Sequence, residues 1–533
     1  MSFVINKDHQ ISMGDSAINL TEREMKFLEK SWAKSFADGI FPAIPEENFS
    51  VLYSDKASRP NTPVNVIIGA LILKELLGLT DDEVLESIMF DVRFQYALHT
   101  TSFKEQPMSD RTLSRFRERC MNYETETGID LVKGCVTGLS GDIAKIMGLH
   151  TGLKRMDSMM VASNIKRLSR LELIYTCVAN LVNLLYKDCK PIPESMAHYC
   201  EESDRNKVIY HARGEDVDER VKNILADAAA LIISCRDSHG GSDEYKLLLR
   251  ALDEQTIKNG DGSLAFKEKS DPAMDSAILQ NPADPDATYR CKSGKQHRGY
   301  IANLVEDTDG TNSIITDYDY QQNTKSDSSF LKDAVEALGE QESPLTIVAD
   351  GAYGGEENIA LAKSKNINLI ATNMQGRKPD DVFADFEFSP NGRELLKCTG
   401  GQTPLTSSYT AKTEQCRSTF DREKCDCCPH KEQCRPKFHK TKTSLVLSWK
   451  TAARARQLRY MKTDEFSQMA KLRNGVESLP SILRRKYGVD RMPVRGRLKT
   501  KLFFGFKVAA VNFKKLLTYQ DSLVLVPNQP KFA

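Results

Sequence analysis

Two periodicities alternate along the 533-residue chain. Over the first 150 residues apolar positions recur every three or four, the spacing of helices with one buried face. Thr21-x-x-Glu24 and Thr80-x-x-Glu83 are capping boxes that predict helices over 22–36 and from 80 to about 98. Residues 63–77 carry apolar positions at the same spacing. Ser109 is placed to cap a basic helix holding Arg111, Arg115, Arg117 and Arg119. From 171 to about 280 the pattern is helical again, at 171–186 and 217–234, and turns polar toward a Pro- and Asp-rich linker at 270–286. The second periodicity has a step of two. It appears at 153–162 around Asp157, and at 300–305 and 313–320, joined by Asp307-Thr-Asp-Gly310 as a hairpin. A helix over 329–338 leads to the β-branched run 345–349, which stops at Asp350-Gly351. Residues 356–365 have helical spacing and 367–372 are apolar and β-branched once more. This is a strand, loop, helix, strand unit with Asp350 at the carboxyl end of its first strand, the edge where open α/β sheets meet ligands. Asp-Gly is also an ordinary turn dipeptide, so what converges on Asp350 decides its role.

Past 375 the pattern breaks. Residues 376–450 are rich in cysteine and turn residues, helical spacing resumes near 453, and 499–517 read as a basic amphipathic helix. A chain this long divides into two to four cores. The boundaries predicted are a helical domain at 1–150, a first core strand at 151–165, a helical insertion at 166–283, the rest of an α/β core at 284–375, a Cys-rich insertion at 376–452, and helices at 453–533. No stretch reaches the roughly 20 apolar residues of a membrane span; the nearest, 64–79, is interrupted by Lys74 and Glu75. With no signal-peptide layout at the N-terminus, a cytoplasmic protein is expected. Its 13 cysteines then read as thiols or a metal site rather than disulfides.

The net charge of +1 hides an asymmetry, because residues 431–533 hold 24 Lys and Arg against 6 Asp and Glu. Such an excess suggests a polyanion, nucleic acid above all, although a solvated charged face has the same composition. The helix with Arg111, Arg115 and Arg117, following another across a polar loop, resembles a helix-turn-helix suited to a major groove. A small helical domain with a solvated face is the alternative. Asp157 and Asp350 meet at one sheet edge if their strands are neighbours, and two close carboxylates call for a cation between them. Mg²⁺ prefers one or two carboxylates plus phosphate oxygens. Glu477, in Arg473-Asn-Gly-Val-Glu477, is a candidate third acid, and also a candidate for a plain i,i+4 ion pair with Arg473. Cys416-x8-Cys425-x2-Cys428-x5-Cys434 could hold tetrahedral Zn²⁺, with Cys427, His430 or His439 as substitutes. A redox pair would need a strand-to-helix context that is missing here.

Taken in order, these motifs resemble the DDE transposases of bacterial insertion sequences, in particular insertion-sequence family eleven eighty-two. Arg155-Met-Asp157 through Asn164 is similar to the first-aspartate motif of that family. Asp284-Pro-Asp-Ala-Thr-Tyr with Gly299-Tyr300 is similar to the strand pair that follows, and Ala349-Asp350-Gly-Ala-Tyr353-Gly to the second-aspartate motif. Around Glu477, three residues separate it from Arg473 and six from Arg484, as in the family's glutamate signature. Two positions depart from it: Ala470 stands where a Tyr is usual and Arg484 where a Lys is usual. Over most of the chain the resemblance implies an α/β fold with an RNase H-like mixed-sheet catalytic core, an N-terminal all-α DNA-binding domain, a helical insertion and a Cys-rich insertion. It further implies a bacterial, nucleoid-associated enzyme that cleaves the ends of its element by water attack and joins the freed 3′-hydroxyl to target DNA. Asp157, Asp350 and Glu477 would hold two Mg²⁺ or Mn²⁺ ions, and Arg473, Arg484 and Arg485 would hold phosphates. A homodimer on double-stranded DNA is expected.

Overall fold

Helices in the first 150 residues form where caps and an apolar face coincide. The structure, a computed structural model, describes residues 1–6, 15–54, 56, 58–149, 152–201, 203–206, 216–292, 294–374, 376 and 378–525. Residues 207–215 of the helical insertion and the basic tail past 525 lie outside the described residues. Thr21 and Thr80 make reciprocal capping boxes with Glu24 and Glu83, opening α1 (Glu22–Glu29) and, after α2 (Val64–Leu77), α3 (Asp81–Phe90). The helix α2 is apolar on every side and almost wholly buried, as such a helix must be. Both capped helices stop short of the predicted ends. Ser31 caps a new turn at Trp32–Ser35, and the Asp91 carboxylate caps another at Val92–Ala97. The basic helix α4 (Thr112–Thr127) starts with Arg111 at its N-cap and no side-chain cap, not at Ser109. The expected first helix of the two-helix reader, 80–98, is thus split at Asp91, and the loop that leads to α4 begins after Ala97. Next come α5 (Leu131–Ile146) and the helical insertion, α6 (Arg170–Lys187), α7 (Asp216–Ser234) and α8 (Asp243–Gln255), which packs its own core around Leu181, Val182 and Leu248.

The mixed sheet starts with β1 (Leu153–Ala162) and continues as β2 (Thr288–Lys292), β3 (Lys295–Thr308) and β4 (Ser313–Gln322). Short turns make these neighbours antiparallel, and β3 also lies antiparallel to β1. Two helical crossovers follow. Ser326 caps α9 (Asp327–Leu338), which leads to β5 (Leu345–Ala349), and α10 (Glu356–Ser364) leads to β6 (Ile367–Ala371). Crossovers allow parallel pairing, so β5 lies parallel to β1 and β6 to β5. The order across the sheet is β4–β3–β1–β5–β6, with β2 also paired to β3. Asp284 and Gly299 hold this arrangement rather than any chemistry. The Asp284 carboxylate is fully buried and accepts from Tyr300 Oη at 2.6 Å and from Ser163 Oγ. At Gly299 φ is +139° and a Cβ would strike the Val161 carbonyl, so glycine is required there.

The two faces of the sheet are covered differently. Met156, Met160, Ile301 and Ile347 pack under α9 and α10. Met159, Val161, Leu304 and Tyr318 face the other way, into the core of the N-terminal helices. That core is completed by the last helix, α14 (Arg497–Leu525), which follows α11 (Trp449–Tyr460), α12 (Asp464–Leu472) and α13 (Ser478–Arg485). The helix α14 touches α2, α4, α5 and β4. The ladder between β3 and β4 skips Thr316, pairing Val305 with Asp317 and Glu306 with Ile315, and the Asn512 side chain accepts from the Ile315 amide and donates to its carbonyl. The predicted basic amphipathic helix is therefore largely an internal one. Lys507 pairs with Glu75 of α2, Lys501 lies 2.7 Å from both Glu124 and Asp130, and Lys515 lies 2.5 Å from Glu306. These partners are hundreds of residues away in sequence, so local charge counting could not find them. No described helix is long and apolar enough to cross a membrane.

Candidate active site

Strand register brings Asp157 and Asp350 together. Met156 of β1 pairs with Ala349 of β5 in a parallel ladder, and both aspartates stand one position beyond that pair. Side chains alternate along a strand. Asp157 therefore points to the face of Met159 and Val161, and Asp350 to the face of Val348, which packs with Ile370 and Phe466 of α12. That is the same face, the one covered by α12 and the segment after it. Beyond Asp350 the chain turns sharply. Gly351 N–H donates to the Asp350 carboxylate at 2.6 Å and Tyr353 N–H to its carbonyl at 3.0 Å. A Cβ at Gly351 would collide with the Asn373 backbone, so no other residue lets the loop lie against β6. Tyr353, buried, donates to Asn303 of β3 at 2.7 Å and fixes the far side of the loop.

Burial pushes the Asp157 carboxyl above the usual range. Arg473, the Ser158 N–H and Lys292 each pull it back, and the nearby charge of Asp350 adds to the rise. Arg473 is the cation that faces the site. Its guanidinium lies 3.8 Å from Asp157 and 2.8 Å from Glu477, and its buried Nε has no partner. Glu477 itself ends a 3-10 turn, Arg473–Glu477, and its side chain is 57% exposed. The i,i+4 ion pair that is its alternative role is thus present, and Arg473 is shared between Glu477 and Asp157. Among the described residues no three His, Cys, Asp or Glu side chains are gathered closely enough to hold a metal ion. Pro480 fits because α13 begins at Ser478, leaving it in the first turn.

Arg155 belongs to the first-aspartate motif, but the motif by itself gives it no role. Buried on β1, it donates to the Leu472 carbonyl at 3.0 Å and to Glu306 at 3.1 Å. Its guanidinium presses on Gly475, where any side chain would clash. Arg155 therefore positions the turn that carries Arg473 and Glu477. Arg484 donates to the Met160 carbonyl at 2.7 Å and pairs with Asp490 at 3.1 Å, so it is engaged at the end of β1, while Arg485 is exposed on α13.

The arginines of α4 separate by helical period. Arg111 and Arg115 are exposed, and with Arg119 they share one face. Arg115 and Arg119 line a cleft of about 470 Å³ together with Arg59 and Tyr53, with Arg119 stacked 4.9 Å over the Tyr53 ring. Arg117 faces the opposite way. It is 9% exposed, paired with Asp81 and stacked 5.0 Å over Phe503 of α14. Its position corrects its expected role: a guanidinium committed inside the core holds helices together and is closed to a groove.

The cysteine expectation is also revised. Cys425, Cys428 and Cys434 line one small cavity, but the fourth thiol there is Cys398. Cys416 is buried on a strand of the insertion, β8 (Gln415–Asp421), which pairs with β7 (Thr406–Thr410) and β9 (Lys442–Leu447), and its Sγ lies 3.8 Å from the Gly392 carbonyl. The Cys-x-x-Cys pair is the signal that spacing offers. Spacing then points to the nearest cysteine upstream as the partner, whereas the sheet brings in a more distant one.

Two family models match the chain. One, described as a transposase DDE domain, covers residues 397–517, and the other, described as a transposase domain of the DUF772 type, covers residues 27–119. Together they support a DDE transposase. The first spans the Cys-rich insertion from residue 397 on, Glu477 and most of α14, but neither Asp157 nor Asp350; the second ends at Arg119 in α4. Divalent metals are the general requirement of DDE transposases. No curated protein matches the chain. Among solved structures, the cryo-EM structure of the piggyBac transposase synaptic complex with hairpin DNA aligns at 9% identity, over 95% of this chain and 77% of that one, with a TM-score of 0.27. A score that low carries no conclusion.

Proposed function

We propose that this transposase has an RNase H-like catalytic core and that Asp157, Asp350 and Glu477 are its metal-binding acids. The observation that carries the reading is the placement of Asp157 and Asp350 on neighbouring parallel strands, one step past Met156 and Ala349, on one face. The strand order β4–β3–β1–β5–β6, antiparallel through β1 and parallel after it, supports the core assignment. Two adjacent carboxylates in a half-buried setting suit Mg²⁺ or Mn²⁺, hard cations that take carboxylates together with substrate phosphates. When bound, two such ions activate an attacking oxygen and stabilise the leaving oxygen in an in-line displacement at phosphorus.

The protein's own part is charge management. Arg473 neutralises Asp157 and Glu477 in the free chain. An incoming phosphodiester competes for its guanidinium, which leaves Glu477 free to turn toward the aspartates. Arg485, exposed on α13, is placed to bind a second phosphate, and Arg484 anchors α13 to β1. Water attacks first, then the freed 3′-hydroxyl attacks target DNA, with two copies of the chain pairing two ends.

Incubating the purified protein with DNA carrying the sequences that flank its reading frame, plus Mg²⁺, tests this. Nicks with 3′-hydroxyls at the element ends, strand-transfer products, and loss of both with EDTA are expected. Cleavage at random positions without joining would indicate a nuclease, and binding without cleavage a non-catalytic DNA-binding protein.

End recognition is assigned to the exposed face of α4. Arg111→Ala with Arg115→Ala should weaken binding to element ends and flatten its salt dependence, by a log–log slope of roughly 0.9 for each phosphate no longer neutralised. Arg117→Ala should instead lower stability, because it leaves Asp81 half-buried beside fewer cations. Titrations at several salt concentrations, with circular dichroism on each variant, separate the two outcomes. An unchanged slope in the folded Arg111/Arg115 double variant would move recognition off α4.

A further inference from the structure

Asp327 is a buried acid to which the proposed chemistry gives no part. It opens α9 beneath the sheet, is 5% exposed, and accepts from Ser158 Oγ at 2.6 Å. Ser158 follows Asp157 on β1, so its side chain points to the opposite face, while its N–H donates to the Asp157 carboxylate at 2.9 Å. One residue thus links the two acids through the strand. Asn358 of α10 ties the start of α9 to the loop after Asp350, donating to the Ser328 carbonyl at 3.1 Å and to the Tyr353 carbonyl at 2.8 Å. Among the described residues the one cation paired with Asp327 is Lys292, whose ammonium lies 3.9 Å from the second carboxylate oxygen. Lys292 ends β2 and pairs with Lys295 at the tip of the β2–β3 hairpin, past Gly299, where β3 leaves β1. Its side chain is 45% exposed. A separation of 3.9 Å is too long for a hydrogen bond, so the N–H donors of Lys292 are left for water or a ligand. The hairpin is basic: residues 287–305 hold four Lys and Arg and no Asp or Glu. Arg290 is engaged by the carbonyls of Asn323 and Lys325, and Arg298 by Gln280 and the Tyr289 ring. The lysines are not committed in this way.

We propose that Lys292 binds a phosphate of the DNA strand entering the site of Asp157 and Asp350, and that Asp327 is the residue that positions it. The proposal rests on the reading of those two aspartates as catalytic acids. A phosphodiester brought up to two carboxylates is repelled unless cations stand beside them. Arg473 meets Asp157 from the face covered by α12. Lys292 comes from the α9 side, and its charge also reaches Asp157: burial raises that carboxyl, and Arg473 and Lys292 pull it back. A strand laid across the aspartates thus finds one cation on each flank. An ammonium is a compact point charge that takes a phosphate without the fixed fork of a guanidinium, which suits a residue at a hairpin tip. Asp327 keeps the ammonium at the site while leaving its donors free. The hydrogen bond to Ser158 fixes Asp327, and through the Ser158 N–H the same residue fixes Asp157. Acid, anchor and phosphate-binding lysine are therefore held as one unit across β1.

The test uses the full chain and reads binding, not cleavage. The probe is a duplex carrying the sequences that flank the reading frame, made as a series in which one phosphate at a time becomes an uncharged methylphosphonate. Affinities are measured in Ca²⁺. Lys292→Ala should bind the unmodified duplex roughly tenfold more weakly, with a log–log salt slope smaller by about 0.9. One methylphosphonate that weakens the wild type about tenfold should leave Lys292→Ala unaffected, and Lys292→Arg should restore the sensitivity. Asp327→Asn should lose most of that sensitivity too; a wild-type response there would overturn its positioning role. Should Lys292→Ala fail to fold because Asp327 has lost its cation, Lys292→Ala with Asp327→Asn removes both charges and enters the same series. If every methylphosphonate costs the folded Lys292 variant what it costs the wild type, Lys292 is only the counterion of Asp327 and the proposal falls. Wild-type cleavage by Asp157→Asn would instead defeat the catalytic reading, and leaves these affinities as they are.

Discussion

Asp157→Asn and Asp350→Asn should each reduce strand cleavage at least about a thousandfold, beyond the ten- to hundredfold typical of losing an outer partner of a metal ligand. Both changes remove a negative charge from a site whose proposed work is to hold cations, and both keep the size and most hydrogen-bonding geometry. The variants should fold. Burial raises the Asp157 carboxyl, so the native state holds that proton more tightly than the unfolded chain does. Ionisation therefore weakens the fold as pH rises through the native value, and asparagine removes that penalty. End-binding should persist, because it is assigned to cations of α4, whose charge these substitutions leave unchanged. The measurement is single-turnover nicking of labelled ends, paired with a mobility-shift assay. Wild-type cleavage by either variant would end the assignment of these acids. For Glu477→Gln the expected loss is similar, and wild-type cleavage there alone would leave the aspartates in place and send the search for a third ligand elsewhere, Glu465 first.

The second large effect concerns stability. Glu306 is 1% exposed, lies 3.1 Å from Arg155 and 2.5 Å from Lys515, and accepts from Ser313 Oγ at 2.9 Å. One carboxylate thus joins β1, α14 and the β3–β4 hairpin. Glu306→Ala leaves two cations facing each other without an anion, and breaking a buried pair from one side costs about 3–5 kcal/mol. The urea midpoint should fall accordingly, with little change for a surface control such as Glu336→Ala. Since Arg155 also holds the Leu472 carbonyl, any folded fraction should cleave poorly as well. A midpoint equal to the wild type would show that Arg155 and Lys515 find other anions.

What the sequence made legible follows the range of the interactions involved. The hairpin and the strand–helix–strand unit are local, so β3, β4, β5 and β6 are readable within a few residues, and the step of two puts Asp157 and Asp350 on a common face once their strands are adjacent. Helix ends are less readable, because Ser31 and Asp91 begin new turns inside runs of helical spacing. Arg117 illustrates another limit. Counting arginines on a helix gives a basic element, but only the angle around the axis separates Arg111 and Arg115 from a residue that pairs with Asp81. The C-terminal charge is readable only as a total for a related reason: three of its cations, Lys501, Lys507 and Lys515, are neutralised by Glu124, Asp130, Glu75 and Glu306, and no local rule links them. Cys398 escapes because two strands intervene between it and its companions.

The shared core of α14 and the N-terminal helices has a consequence for how the protein is made. At a translation rate of 5–20 residues per second, roughly tens of seconds separate the emergence of α5 from that of α14. Through that interval α2 and α5 expose the apolar surfaces that Phe504 and Phe513 later cover. A polypeptide cut off by a stop codon or frameshift before α14 would therefore leave the ribosome as chaperone and protease substrate, not as a free DNA-binding fragment. Shortened copies of such a gene would be poor competitors of the intact chain, and every folded molecule would carry α4 and the two aspartates together.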